Sequence, residues 1–279
     1  MIVKIADNIT SPLGFDSEEN FRNIKSGNTK LALHEGLWNI PEPFVGSLFN
    51  NDELDDMYYN NVKSNIVYTK FEKIMILSAS KAINESGIDV TSDKVIFIIS
   101  STKGNIDLLY TNPNDIPYER VYLGESAQII CDYFKNPNKP VIVSNACISG
   151  ACAQYTACRL LETKKYKYAV LILLIGLALM ASGFQSFKAL SLKPCRPFDK
   201  ERDGLNVGEA AGTMIFQYKE ENEITSSEWI LDKGAIRNDA NHISGPSRTG
   251  EGSYRALKEI TTDLDINQLA VINIHGTAT

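Results

Sequence analysis

Lys94-Val95-Ile96-Phe97-Ile98-Ile99 is rich in β-branched residues and, past its lysine, apolar without a break. A strand with one wet face alternates apolar and polar residues, whereas a strand covered on both faces does not. This run therefore demands layers on both sides of a sheet. Val141-Ile142-Val143, introduced by Pro140, is a second such piece; Ala169 to Ile175 reads as a third strand and Ala211 to Phe216 as a fourth. Helical patterns lie between them. From Ser64 to Ser86, apolar residues recur near a 3.6-residue period, and Gly87 is placed to end that helix. Cys147 to Glu162 reads as another helix. Further on, Trp229 to Ile236 is strand-like, Ser253 to Ile260 helical and Leu269 to Ile274 a last strand. Strands alternating with helices predict an α/β fold with largely parallel sheets. The charged stretch Lys219 to Glu223 reads as a solvated connection between two halves, 1–222 and 223–279.

Composition narrows the function. Basic residues number 28 and acidic residues 34, giving a net charge of −6, and apolar residues make up 43%. An acidic balance argues against a nucleic-acid footprint, which needs a basic face. The longest apolar run, Ala169 to Ala181, is shorter than the ~20 residues of a membrane-spanning helix. No apolar leader follows Met1, so the expected location is the cytoplasm. The five cysteines (131, 147, 152, 158 and 195) then read as free thiols. His34, His242 and His275 show no metal-ligand spacing, and no metal is expected.

The richest segment is Pro140 to Ala153. A strand enters a sharp turn, and Cys147 sits where a helix begins. Small residues follow: Ser149, Gly150, Ala151, Cys152 and Ala153. They let the helix pass close to other backbone, which suits a central position. The positive end of a helix favours thiolate over thiol, and its unpaired N–H groups can hold an oxyanion. The residue types thus suit a covalent nucleophile. A buried cysteine acting as a small hydrophobe is the competing reading, and it is the one adopted for Cys131, Cys152, Cys158 and Cys195. His275 has the same two readings, catalyst or hydrogen-bonded structural residue, at the end of the last strand.

Four stretches together resemble the β-ketoacyl-acyl carrier protein synthases, condensing enzymes of the thiolase superfamily. They are Asn145-Ala146-Cys147-Ile148-Ser149-Gly150; Ser182 to Ser191; Arg196 to Gly204 continuing through Gly208-Glu209-Ala210-Ala211-Gly212; and His275-Gly276-Thr277-Ala278-Thr279. They occur in the family's order. The implied fold is α/β, a thiolase-like layered αβαβα arrangement with a complete N-terminal half and only the start of the C-terminal half. The resemblance is closest to the elongating Cys-His-His class.

The implied reaction is a decarboxylative Claisen condensation. Cys147 would take an acyl chain as a thioester from acyl carrier protein. His275, with a second histidine, would stabilise the enolate left when the malonyl thioester loses CO₂. Thr277 and Thr279 match threonines that bind the phosphopantetheine arm, Phe184 a position near the acyl pocket, and Glu209 an acid that supports the site. No resident cofactor is implied, because phosphopantetheine arrives on the carrier protein. The family also implies a homodimer and a basic docking face, for which Lys63, Lys70 and Lys73 are candidates.

The chain departs from the family at two places. It stops five residues past the Leu269–Ile274 strand, so the family's second histidine is missing, and neither His34 nor His242 matches it. A piece of a longer fold, unable to condense alone, is the expectation. In addition, Leu171 to Met180 is apolar where the family has a glycine-rich turn with an acidic residue. Two other functions compete with an elongating synthase. One is a non-catalytic partner subunit of a synthase pair, although such subunits usually replace the cysteine. The other is a Cys/His thioester hydrolase.

Overall fold

A computed structural model describes residues 1–111, 113, 115–175, 178–239, 247–276 and 278. Strands β1 (Ile2–Thr10), β2 (Ala32–His34) and β3 (Phe44–Ser47) open the chain, with helix α1 (Ser17–Lys25) after β1 and α2 (Asn51–Asn61) after β3. Then come α3 (Lys70–Ser86), β4 (Val95–Ser100), α4 (Leu108–Thr111), α5 (Leu123–Tyr133), β5 (Val141–Val143) and α6 (Ser149–Glu162). β6 (Tyr168–Ile175), α7 (Ala178–Ser186), β7 (Val207–Gly208), β8 (Ala210–Tyr218), β9 (Trp229–Leu231) and α8 (Glu251–Thr261) complete it.

The main sheet has the order β5-β4-β6-β8-β1-β9, and a smaller one the order β2-β3-β7. β4 pairs in parallel with both β5 and β6. β8 runs antiparallel to β6 and β1, and β1 antiparallel to β9. The sheet is therefore mixed, where the sequence pattern predicts mostly parallel pairing. Periodicity reports burial and not strand direction, and the antiparallel β8 contributes side chains to both cores.

The unbroken apolar run of β4 has a direct physical reason. Val95, Phe97 and Ile99 join a core with α3 and α5, while Ile96 and Ile98 join a second core with Ala153, Ala157 and Leu161 of α6. Each face of the sheet has its own helical layer.

Helix α3 starts later than its periodicity suggests. Thr69 caps it, taking the N–H of Glu72 on its hydroxyl while the Glu72 carboxylate takes the N–H of Thr69. Such a reciprocal cap is worth about 1 kcal/mol and fixes the start. Ile66 and Val67, counted with the helix in the sequence, are exposed ahead of it. Gly87 ends α3 at φ 65°, as the pattern predicts.

Two strand expectations fail. Trp229 to Ile236 is a strand only over Trp229–Leu231, where it pairs with β1. Leu269 to Ile274 is not a strand: Val271, Ile272 and Ile274 are well exposed. A β-propensity is realised only when another strand supplies hydrogen bonds, and this segment has no strand neighbour among the described residues. Among those residues no helix is long and apolar enough to cross a membrane.

Candidate active site

Cys147 lies in the turn between β5 and α6 and is exposed. The helix begins at Ser149 with Ile148 at its cap, so the cysteine precedes it instead of starting it. Ala146 has a φ of 45°, a left-handed conformation uncommon outside glycine. Ser149 closes the turn. Its buried hydroxyl accepts the N–H of Asn145 at 2.7 Å and donates to the Ala146 carbonyl at 2.7 Å. The amides of Ile148 and Ser149 donate to the carbonyls of Asn145 and Ala146, each at 3.2 Å. The Asn145 amide group reaches Cys152 Sγ at 3.3 Å, tying the turn to the first helical turn of α6. No side chain caps α6, so its positive end is left facing the Cys147 turn.

The small residues behave as the sequence suggests. Ala153 and Ala157 are fully buried against the sheet. A Cβ at Gly150 would lie 3.4 Å from Leu173 of β6. The helix behind the cysteine is thus close-packed onto the middle of the sheet. The other cysteines are set apart. Burial pushes the Cys131 thiol far above its ordinary range, and burial with the neighbouring Glu162 raises that of Cys158. Cys152 is also buried.

His275 is exposed, whereas Gly276 and Ala278 are docked. The Ala278 carbonyl accepts the N–H of Gly204 at 3.1 Å, and Gly276 packs against Phe198 and Pro197. Two of the family-like stretches, the Arg196–Gly204 loop and the histidine turn, are therefore in contact. No hydrogen bond among the described residues joins the Cys147 and His275 turns directly.

Glu209 follows β7, and its N–H donates to the Ser47 carbonyl at 2.9 Å. Its carboxylate is buried. Oε2 lies 2.7 Å from Lys70 Nζ and accepts the Phe49 N–H at 2.9 Å, while Oε1 has no partner among the described residues. Asp107 sits nearby. Burial, with repulsion from Glu209, raises its carboxyl above the usual range, and Lys70 partly offsets this. Lys70 and Asp107 line a cavity of about 320 Å³ with Tyr68, Asn105 and Leu108.

The remaining candidates fall elsewhere. Phe184 is half-buried in α7. Thr277, Thr279 and His242 lie outside the described residues. His34 sits in β2, its Nε2 3.2 Å from the Gly46 carbonyl and its ring against Phe44. Of the candidate docking lysines, Lys63 is exposed. Lys70 is paired to Glu209 and Lys73 to Asp55 at 2.7 Å, each largely covered. Their periodic placement on α3 reads as a solvated face, but their partners come from distant segments. Among the described residues no group of three His, Cys, Asp or Glu side chains is placed to hold a metal. The sequence reading missed Ser149 and Phe198. A serine two residues past a nucleophile candidate is a turn-closing signal, whereas Phe198 carries none.

Known proteins share sequence and fold with this chain. The family profile described as the N-terminal domain of beta-ketoacyl synthase matches residues 2–222. The chain is 31% identical over 323 aligned residues to 3-oxoacyl-[acyl-carrier-protein] synthase 2 of Rhizobium meliloti, covering 100% of this chain and 74% of that protein. In three dimensions it is similar to the ishigamide ketosynthase/chain length factor, with a TM-score of 0.79 at 19% identity, covering 100% of this chain and 73% of that one. A type II polyketide ketosynthase, AntDE, solved with its acyl-carrier protein AntF, gives a TM-score of 0.75 at 17% identity over 100% of this chain and 74% of that one. The fold is thus the thiolase-like ketosynthase fold, as the resemblance implied. A profile match from residue 2 to residue 222 takes in most of the sequence, and the chain belongs to the β-ketoacyl synthase family.

Proposed function

We propose that this chain carries the acyl-accepting half of an elongating 3-oxoacyl-acyl carrier protein synthase. The observation that carries the reading is the exposed Cys147 thiol, held by the Ser149-closed turn at the uncapped end of α6. Cys147 Sγ attacks the carbonyl of an acyl thioester, and the carrier-protein thiol leaves. A malonyl thioester then loses CO₂, and the electron pair of the broken C–C bond passes into an enolate. His275, acting with a second histidine that the 279 residues do not include, donates a hydrogen bond to that enolate oxygen. The enolate carbon attacks the acyl-Cys147 carbonyl, and the Cys147 thiolate departs as the 3-oxoacyl thioester forms. The backbone N–H of Cys147 stabilises the tetrahedral oxyanion, a contribution of about 3 kcal/mol in comparable sites. Thr277 and Thr279 bind the phosphopantetheine arm, Phe184 borders the acyl chain, and Glu209 acts as a structural support. The substrate partner is an acyl carrier protein. No resident cofactor takes part, and the oligomer is a homodimer in the cytoplasm.

The relatives support this reading: one is named for 3-oxoacyl-carrier-protein synthesis, and a structural neighbour was solved with its carrier protein. The test is labelling with a ketosynthase-directed epoxide and peptide mapping. An adduct on Cys147 is the expected result. No adduct would instead favour a non-catalytic partner subunit, and free acid released from an acyl thioester would favour a hydrolase.

A further inference from the structure

We propose that Phe198 is a positioning residue for His275, an inference that rests on His275 meeting the malonyl thioester. Residues 269–274 make no strand pairing among the described residues and are exposed, so the segment before the histidine does not fix it. The turn is located from its other side. A Cβ at Gly276 would lie 3.0 Å from Cε2 and 3.1 Å from Cζ of Phe198, and 3.2 Å from Pro197 Cβ. Gly276 has a φ of 61°, so this position suits glycine both for its backbone and for the ring beneath it. Two residues on, the Ala278 carbonyl takes the Gly204 N–H at 3.1 Å.

Phe198 is itself preset. Its φ is 67°, again left-handed for a residue with a bulky side chain. The Arg196 guanidinium donates to the Glu201 carbonyl, and the Glu201 N–H donates to Asp199 Oδ1 at 2.8 Å, which closes the loop around it. The loop's far end is clamped where Gly204, at φ 136°, lies against the backbone of Ala189 to Ser191. Ser191 adds a hydrogen bond to Asp203 at 2.9 Å. Phe198 is nevertheless 67% exposed. One part of it meets Gly276, and the rest faces outward. A ring that only filled a core would be covered. This one forms a ledge under the residue that follows the histidine.

The experiment is imidazole NMR on the 279-residue chain, with His34, His242 and His275 assigned by single His→Gln changes, and malonyl-pantetheine as the probe. In the parent chain the probe should shift the His275 signals. Phe198→Ala should displace the free His275 signals and weaken the probe response at least ~5-fold, because a misplaced group loses its productive geometry. Phe198→Tyr should restore both, and the His34 signals should stay in place throughout. Should Phe198→Ala unfold the chain, Phe198→Leu is read in its place. Superimposable His275 spectra in parent and variant, with and without probe, would overturn the proposal. If the parent His275 ignores the probe, the role of His275 in the proposed function falls. The free spectra then still decide on Phe198: a displaced His275 supports its positioning role, and an unmoved one refutes it.

Discussion

Lys70 Nζ lies 2.7 Å from Glu209 Oε2, joining the first residue of α3 to the residue that follows β7. The lysine is partly exposed and the glutamate buried, so the two changes that break the pair are unequal. Lys70→Met leaves a buried carboxylate with only the Phe49 N–H and should cost about 2–3 kcal/mol, discounted from the full buried-pair value because Lys70 reaches solvent. Glu209→Gln removes the buried charge and should cost less. Urea unfolding of both variants checks the order, and equal losses would contradict it.

Asp107 gives a pH signature. Its carboxyl is raised by burial and by Glu209, so the folded chain holds this proton more tightly than the unfolded one. The sign follows from linkage: ionisation opposes the fold, and stability falls as pH rises from the ordinary value of 3.8 through the raised one. Above that window the loss is complete. Asp107→Asn should flatten this part of the stability curve and raise the melting temperature at pH 7. A lower melting temperature in the variant would count against the assignment.

Ser149 holds the Cys147 turn with two hydrogen bonds of 2.7 Å. Removing the hydroxyl by Ser149→Ala should cost about 1–3 kcal/mol, since the Asn145 N–H loses its side-chain partner and the Ala146 carbonyl keeps only the Ser149 N–H. It should also slow alkylation of Cys147 by roughly 3–10-fold, because the thiol is no longer fixed at the helix end. Stopped-time alkylation with mass readout measures this. An unchanged rate would mean that the turn keeps its shape without the serine.

Epoxide labelling should be confined to one thiol. Cys147 is the one fully exposed cysteine among the described residues; Cys195 is half-buried, and Cys131, Cys152 and Cys158 are buried. Cys147→Ala should remove most labelling of the folded chain, about 10-fold or more, with any remainder on the half-buried Cys195. Substantial adduct on another cysteine peptide would refute the assignment.

The 279-residue polypeptide should load an acyl group on Cys147 but give no measurable condensation. Its histidines are 34, 242 and 275, and His34 is engaged in the small sheet. Loss of an enolate-stabilising group typically costs about 100-fold or more. A paired loading and condensation assay decides, and normal turnover would show that one histidine suffices.

The burial pattern of β4 was legible because alternation is absent wherever both faces are covered. The end of α3 was legible because Gly87 supplies the left-handed cap. Helix starts were less so: Ile66 and Val67 keep the helical period, but the Thr69–Glu72 cap sets the boundary. Strand direction was not legible, since residue patterning marks β6 and β8 both as buried strands although they run in opposite directions. Leu269 to Ile274 shows the limit of propensity, because a strand needs a neighbour that the residues themselves cannot specify. At the candidate site, Cys147 and His275 were marked by residue type and local small residues. The Lys70–Glu209 pair and the Phe198 ledge arise from contacts between distant segments and leave no local trace.

Parallel pairing of β4 with β5 has one further result. The segments leaving both strands, Ser101–Gly104 and Ser144–Ile148, emerge at a common edge of the sheet. Insertions or exchanges there can reshape the surroundings of the thiol while the two cores beneath go on being built by the same residues. Residue changes at that edge can therefore accumulate without any renegotiation of how the chain folds.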